Sequence, residues 1–100
     1  MKCSIEAKDS GVRVAPEGDI DMHVAPEFRR ILRKVLDERP AAVTVDLANV
    51  PFLDSSGVAT IVEALKLSRQ RGAPFRVEGC SPSVRDTFEI AGLTKILGIP

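Results

Sequence analysis

Hydrophobic and polar positions along this chain shift repeatedly between a period of two and a period near 3.6. Residues 2–8 and 11–17 alternate, which sets Ile5 and Ala7, then Val12 and Val14, to point inward. The turn-rich Asp9-Ser10-Gly11 between the two runs predicts a β-hairpin. Gly18-Asp19-Ile20-Asp21 breaks the alternation. From Val24 to Arg39 the apolar residues Phe28, Ile31, Leu32, Val35 and Leu36 recur at helical spacing, with Arg29, Arg30, Arg33, Lys34 and Asp37 opposite them. Pro26 suits the first turn of that helix and Pro40 stops it.

A strand over 42–47, a loop over 48–54 and a helix over 55–71 follow. Val58, Ile61, Val62 and Leu65 share one face of that helix, and Gly72 closes it. Residues 74–79 read as a further strand. Ser81-Pro82 opens a last helix with an N-cap and a first-position proline, its inner stripe formed by Val84, Phe88 and Ala91, with Gly92 at its end. Leu93, Ile96, Leu97 and Ile99 form an apolar tail that adds either a turn or an edge strand and leaves room for a weak dimer.

The order β-β-α-β-α-β-α is that of an α/β domain, in which strand–helix–strand units give parallel neighbours and right-handed crossovers. Functional loops in such sheets gather beyond the carboxyl ends of the parallel strands. The loops 18–23, 48–54 and 79–81 are therefore expected along one edge, with Asp19, Asp21, Asp54, Ser55 and Ser56 as neighbours in space.

Composition narrows the function. A hundred residues suffice for one hydrophobic core and not for two, so one domain over 1–100 is expected. Charged residues cancel to zero, which points to neither nucleic acid nor an anionic membrane. Two cysteines, Cys3 and Cys80, are too few for a disulfide framework or a zinc site and read as free thiols of a reducing compartment. No signal core or membrane span is visible, and a cytoplasmic protein that meets other proteins is expected.

Catalytic chemistry finds little support. His23 is the one histidine and reads as a loop residue; no phosphate-cradling glycine motif occurs. No enzyme activity and no cofactor are expected. Asp19, Asp21 and Asp54 either gather round a cation or cap helices and solvate a loop. Asp54 is a good N-cap, placing Ser55 and Ser56 in the first helical turn beside the positive end of the dipole. These serines either continue the cap or accept phosphate, since a helix N-terminus favours an added anion. Gly57, lacking a side chain, would let another protein's backbone come close. The basic helix face from Arg29 to Lys34 reads as a solvated surface.

The run Val45-Asp46-Leu47-Ala48-Asn49-Val50-Pro51-Phe52-Leu53-Asp54-Ser55-Ser56-Gly57 resembles the signature of STAS domains, particularly the bacterial anti-sigma factor antagonists. Gly18-Asp19-Ile20-Asp21, Ala25-Pro26-Glu27-Phe28, Ser81-Pro82-Ser83-Val84 and Ala91-Gly92-Leu93 extend the likeness over nearly the whole chain. The resemblance implies a STAS fold, with about four strands in a mixed sheet and three or more helices. It also implies Ser55 as the acceptor of phosphate from an anti-sigma factor that is a serine kinase, and a phosphatase that resets it. The implied contact surface comprises Asp19, Asp21, Asp54, Ser55, Ser56 and Gly57. STAS domains also serve as small subunits of phospholipid-transport ABC systems, where the same loop and helix bind the transporter ATPase and a serine here is a contact residue.

Overall fold

The computed structural model describes residues 1–100. Strands β1 (Cys3–Lys8) and β2 (Gly11–Pro16) form the hairpin. They are followed by α1 (Ala25–Asp37), β3 (Val43–Asp46), α2 (Ser55–Gln70), β4 (Phe75–Glu78) and α3 (Pro82–Ile90). The strands lie side by side in sequence order, β1 antiparallel to β2 and the other neighbours parallel. This is the mixed four-stranded sheet and three-helix complement of a STAS fold.

Each crossover steps one strand in the same direction. With right-handed connections, that puts α1 and α2 on one face of the sheet, where they pack against each other. Val14, Val43, Val45, Phe75 and Val77 point to that face and join one continuous core with Phe28, Leu32, Ile61, Leu65 and Phe88. The alternate residues Arg13, Thr44, Asp46, Arg76 and Glu78 make the other face polar. There Arg13 bridges Asp46 and Glu78, and Arg76 pairs with Glu78 as well. Exposed pairs of this kind contribute ~1 kcal/mol or less each, so the core and not this ladder holds the sheet.

Several expectations need correction. Ile5 and Ala7 are exposed, although Ile5 sits opposite the fully buried Val14. β1 is an edge strand, and the helix layer does not extend far enough to cover it. α1 begins at Ala25 without a side-chain cap, because Asp21 closes a preliminary turn ahead of it. It ends at Asp37, and Arg39 adopts a left-handed φ of 51° before Pro40. Ala91 is an exposed C-cap and not part of the inner stripe, which comprises Val84 and Phe88.

The apolar tail takes the turn alternative and not the edge strand, and Ile96 stays exposed on it. It forms turns that bury Leu97 and Ile99, and the Leu97 carbonyl accepts the Val77 amide at 2.8 Å. That single bond blunts the outer edge of β4. No helix is long and apolar enough to cross a membrane. Cys3 and Cys80 are free, half-buried thiols whose ionisation burial pushes up.

Candidate functional site

The site begins with two loops at the carboxyl ends of β2 and β3. Ile20 and Leu53 form an isolated parallel bridge, with the Ile20 amide donating to the Phe52 carbonyl at 2.9 Å. The Asp54 amide returns a bond to the Ile20 carbonyl at 3.2 Å, and the Gly18 amide donates to Asn49 at 2.9 Å. Ile20 and Leu53 are apolar and turn inward, both buried. Their neighbours therefore turn outward in register, Asp19 beside Phe52 and Asp21 beside Asp54. The expected gathering of Asp19, Asp21, Asp54, Ser55 and Ser56 is thus realised by a miniature extension of the sheet. The third loop lies on the same edge: Gly79 packs against Asp46 and Ala48, and the hydroxyl of Ser83, in the first turn of α3, donates to the Pro51 carbonyl at 3.4 Å.

Asp54 is the N-cap of α2. Its Oδ1 accepts the Ser56 amide at 2.9 Å and the Gly57 amide at 3.2 Å, satisfying two donors that no earlier helical turn can reach. The Ser56 hydroxyl donates to the same oxygen at 2.5 Å. That hydroxyl above all, with the Gly57, Ser56 and Met22 amides, holds the Asp54 carboxyl below its ordinary range against the opposing effect of burial. Asp21 is similarly occupied, its Oδ1 accepting the His23 amide at 2.9 Å and the Val24 amide at 3.2 Å. Asp19 is exposed and its side chain makes no hydrogen bond.

These attachments separate the two serines. Ser56 is half-buried and committed to Asp54 through both its amide and its hydroxyl. Ser55 is exposed and no hydrogen bond holds its hydroxyl. Gly57 corrects an expectation: it is buried, and a Cβ there would run into the Leu53 and Ile20 side chains. Its missing side chain admits the chain's own bridged loops and not a partner's backbone. Asp21 and Asp54 point at amides, and no group of three or more His, Cys, Asp or Glu side chains is placed to hold a metal ion.

Three features beside Ser55 escaped sequence reasoning. Met22 and Phe52 are large apolar residues left 68% and 51% exposed on the two bridged loops. Only the period-two register of the bridge, invisible locally, turns Phe52 outward while Leu53 is buried. Arg29 and Arg33 are not merely solvated, because both reach Glu63 of α2, at 3.0 and 2.5 Å. Their hydrogen bonds, Arg33 first, hold the Glu63 carboxyl below its usual range. A groove of about 310 Å³ opens between α1 and α2, running from Met22 and Ser56 to this ion-pair cluster.

A mixed sheet with α1 and α2 on one face, and a capped serine pair presented at the edge where two loops are bridged, define a class of interaction domain. The chain belongs to the STAS domain family, whose model matches residues 3–100. It is 31% identical to the anti-sigma-B factor antagonist of Listeria monocytogenes, covering 99% of this chain and 90% of that one. The anti-sigma-B factor antagonist of Staphylococcus epidermidis is 30% identical over 99% of this chain and 94% of its own length. Among solved structures, an anti-sigma factor antagonist from Mycobacterium paratuberculosis superposes with a TM-score of 0.87 at 26% identity, covering 96% of this chain and 81% of that one.

Proposed function

We infer that this chain is an anti-sigma factor antagonist that works by switching partners. Unmodified, it binds an anti-sigma factor that is also a serine kinase, and so frees a sigma factor. Phosphate on Ser55 ends that binding until a phosphatase removes it. The chain supplies a surface and an acceptor hydroxyl, and no catalytic group of its own. The observation that carries the reading is that Ser55 offers an exposed, unbonded hydroxyl at the start of α2, next to one that is tied down. The names of the relatives support the partner class.

In the modification, Ser55 Oγ takes the γ-phosphoryl group of ATP held by the kinase. The new O–P bond forms as the bond to ADP breaks, and the hydroxyl proton passes to a base of the kinase. A helix N-terminus ordinarily welcomes such an anion with free amides. Here Asp54 already occupies the Ser56 and Gly57 amides. The phosphate is left facing outward beside a carboxylate held ionised, so the change falls on the surface and not on the fold.

Binding of the purified protein to the host's anti-sigma factor, by titration calorimetry, tests this. Ser55→Ala should bind as the parent does, and Ser55→Asp should bind at least roughly tenfold more weakly, a difference of ~1.4 kcal/mol. Parent-like binding by both variants would end the switching idea. Co-purification with a transporter ATPase, with no phosphorylated fraction, would move the chain to the ABC-system role.

A further inference from the structure

We propose that the surface around Ser55 is an apolar docking face anchored by Met22 and Phe52, and that the anti-sigma factor seats an apolar side chain in the groove between α1 and α2. This rests on the functional reading above and specifies how that partner is held.

Large exposed apolar side chains are few in this structure, and two of the five stand on the two loops that present Ser55. Met22 adjoins Ser56 and Ala59 along the groove, and exposed apolar surface of this kind marks interaction sites. The helix that carries Ser55 points the same way. Residues 55–62 of α2 contain no charge, and Ala59 is exposed while Val58 and Val62 are only half-buried. The outer face of α1 is by contrast strongly charged, so the uncharged patch stops at the groove.

The groove is walled by Met22, Ala25, Pro26 and Ala59. Its polar side chains near Ser55 are already satisfied: the Ser56 hydroxyl donates to Asp54, and the Thr60 hydroxyl donates to the Ser56 carbonyl at 2.9 Å. An apolar occupant at this end leaves neither hydroxyl without its partner. Asp21 and Asp54 are spoken for by amides of their own chain, so charge does not lead the contact.

Charge does orient it. Asp19 is an unpaired carboxylate beside Phe52. At the far end of the groove two guanidinium groups share the one carboxylate of Glu63, leaving a positive charge in excess. A partner with an apolar centre, a cation toward Asp19 and a carboxylate toward Arg29 is complementary to this arrangement. A phosphate on Ser55, next to Ser56 at the groove wall, would have to shed its water where an apolar partner surface closes over it, which is how a single modification breaks the contact.

The test uses the full chain and the purified anti-sigma factor, in calorimetry at low and high salt. Met22→Ala and Phe52→Ala should each weaken binding roughly tenfold or more, as truncated anchors do. Their thermal midpoints should stay at the parent's, because both side chains are exposed. Asp19→Asn should change the affinity less and act mainly on the association rate. The parent's affinity should vary little with salt, and binding should show a negative heat-capacity change. Parent-like binding by both alanine variants overturns the proposal while leaving the partner assignment intact. A parent that does not bind at all removes the functional reading and the anchors with it. A dimer of the parent that Met22→Ala abolishes would assign this face to a second copy of the chain and overturn the proposal.

Discussion

The hydroxyl of Ser56 is bonded to the carboxylate of Asp54, two residues before it, and this leaves the neighbouring Ser55 as the free hydroxyl of the pair. One carboxylate thus caps the helix, engages one serine and, by the same bonds, leaves the other available. The two serines are chemically alike and adjacent, yet their accessibility is opposite because a helix turns 100° per residue.

The cap should be separable from the charge. Asp54→Asn keeps an oxygen able to accept the Ser56 and Gly57 amides, and asparagine is as good an N-cap as aspartate. Asp54→Ala loses both bonds at the start of α2. Thermal unfolding should show the alanine variant melting roughly 4–8 °C below the parent and the asparagine variant close to it. Equal losses in the two variants would mean that the carboxylate charge matters more than the bonds.

Acid stability should carry the mark of the depressed carboxyls. Asp54 and Glu63 are held below their unfolded values, so the folded chain binds fewer protons than the unfolded chain across that interval. Their stabilisation is complete above the unfolded carboxyl pKa values, about pH 4, and is lost as the pH falls through the lower folded values. Melting temperatures recorded from neutral pH downward should fall steeply below about pH 4. In the Asp54→Asn, Glu63→Gln double variant that fall should be shallower. An unchanged slope would place the acid sensitivity in other carboxylates, such as Glu27 of α1, which accepts from the amino-terminal ammonium at 2.9 Å.

Gly57→Ala pits two effects against each other. Alanine favours helix over glycine by up to ~1 kcal/mol. The added methyl, however, meets Leu53 and the Ile20 γ-methyl in a buried position. Overpacking a filled core costs about 1–3 kcal/mol. Packing should win, giving a lower urea midpoint at unchanged slope, and the displaced loops should weaken partner binding as well. A stabilised variant would show that Leu53 turns aside freely.

Much of the fold was legible because local signals agreed. Helical spacing at Phe28, Ile31, Leu32, Val35 and Leu36 and punctuation at Gly72 and Ser81-Pro82 put α1, α2 and α3 within a residue or two of their places. The failures share a cause: each depended on what lies beside an element and not on the element itself. Ile5 has the right residue type and register for burial, yet no helix reaches over the edge strand. Leu97 and Ile99 appeared as loose apolar residues because the space that takes them, beside β4, exists only in three dimensions. At the site, capping by Asp54 was readable from Asp-Ser at a helix start. The division of labour between Ser55 and Ser56, the inward role of Gly57 and the exposure of Met22 and Phe52 required the Ile20–Leu53 bridge.

That bridge makes the site a discontinuous epitope. Residues 18–23 and 48–54 exchange backbone bonds and hold each other in register, so neither segment alone can carry the shape that surrounds Ser55. A synthetic peptide bearing Asp54-Ser55-Ser56-Gly57 would present the acceptor without its frame, and would be a poor mimic of the protein for a partner or a blocking antibody. Substitutions in the two segments would likewise couple non-additively. Any inheritable change to one loop is therefore judged in the context of the other, and new partner specificity is reached by changing the two together.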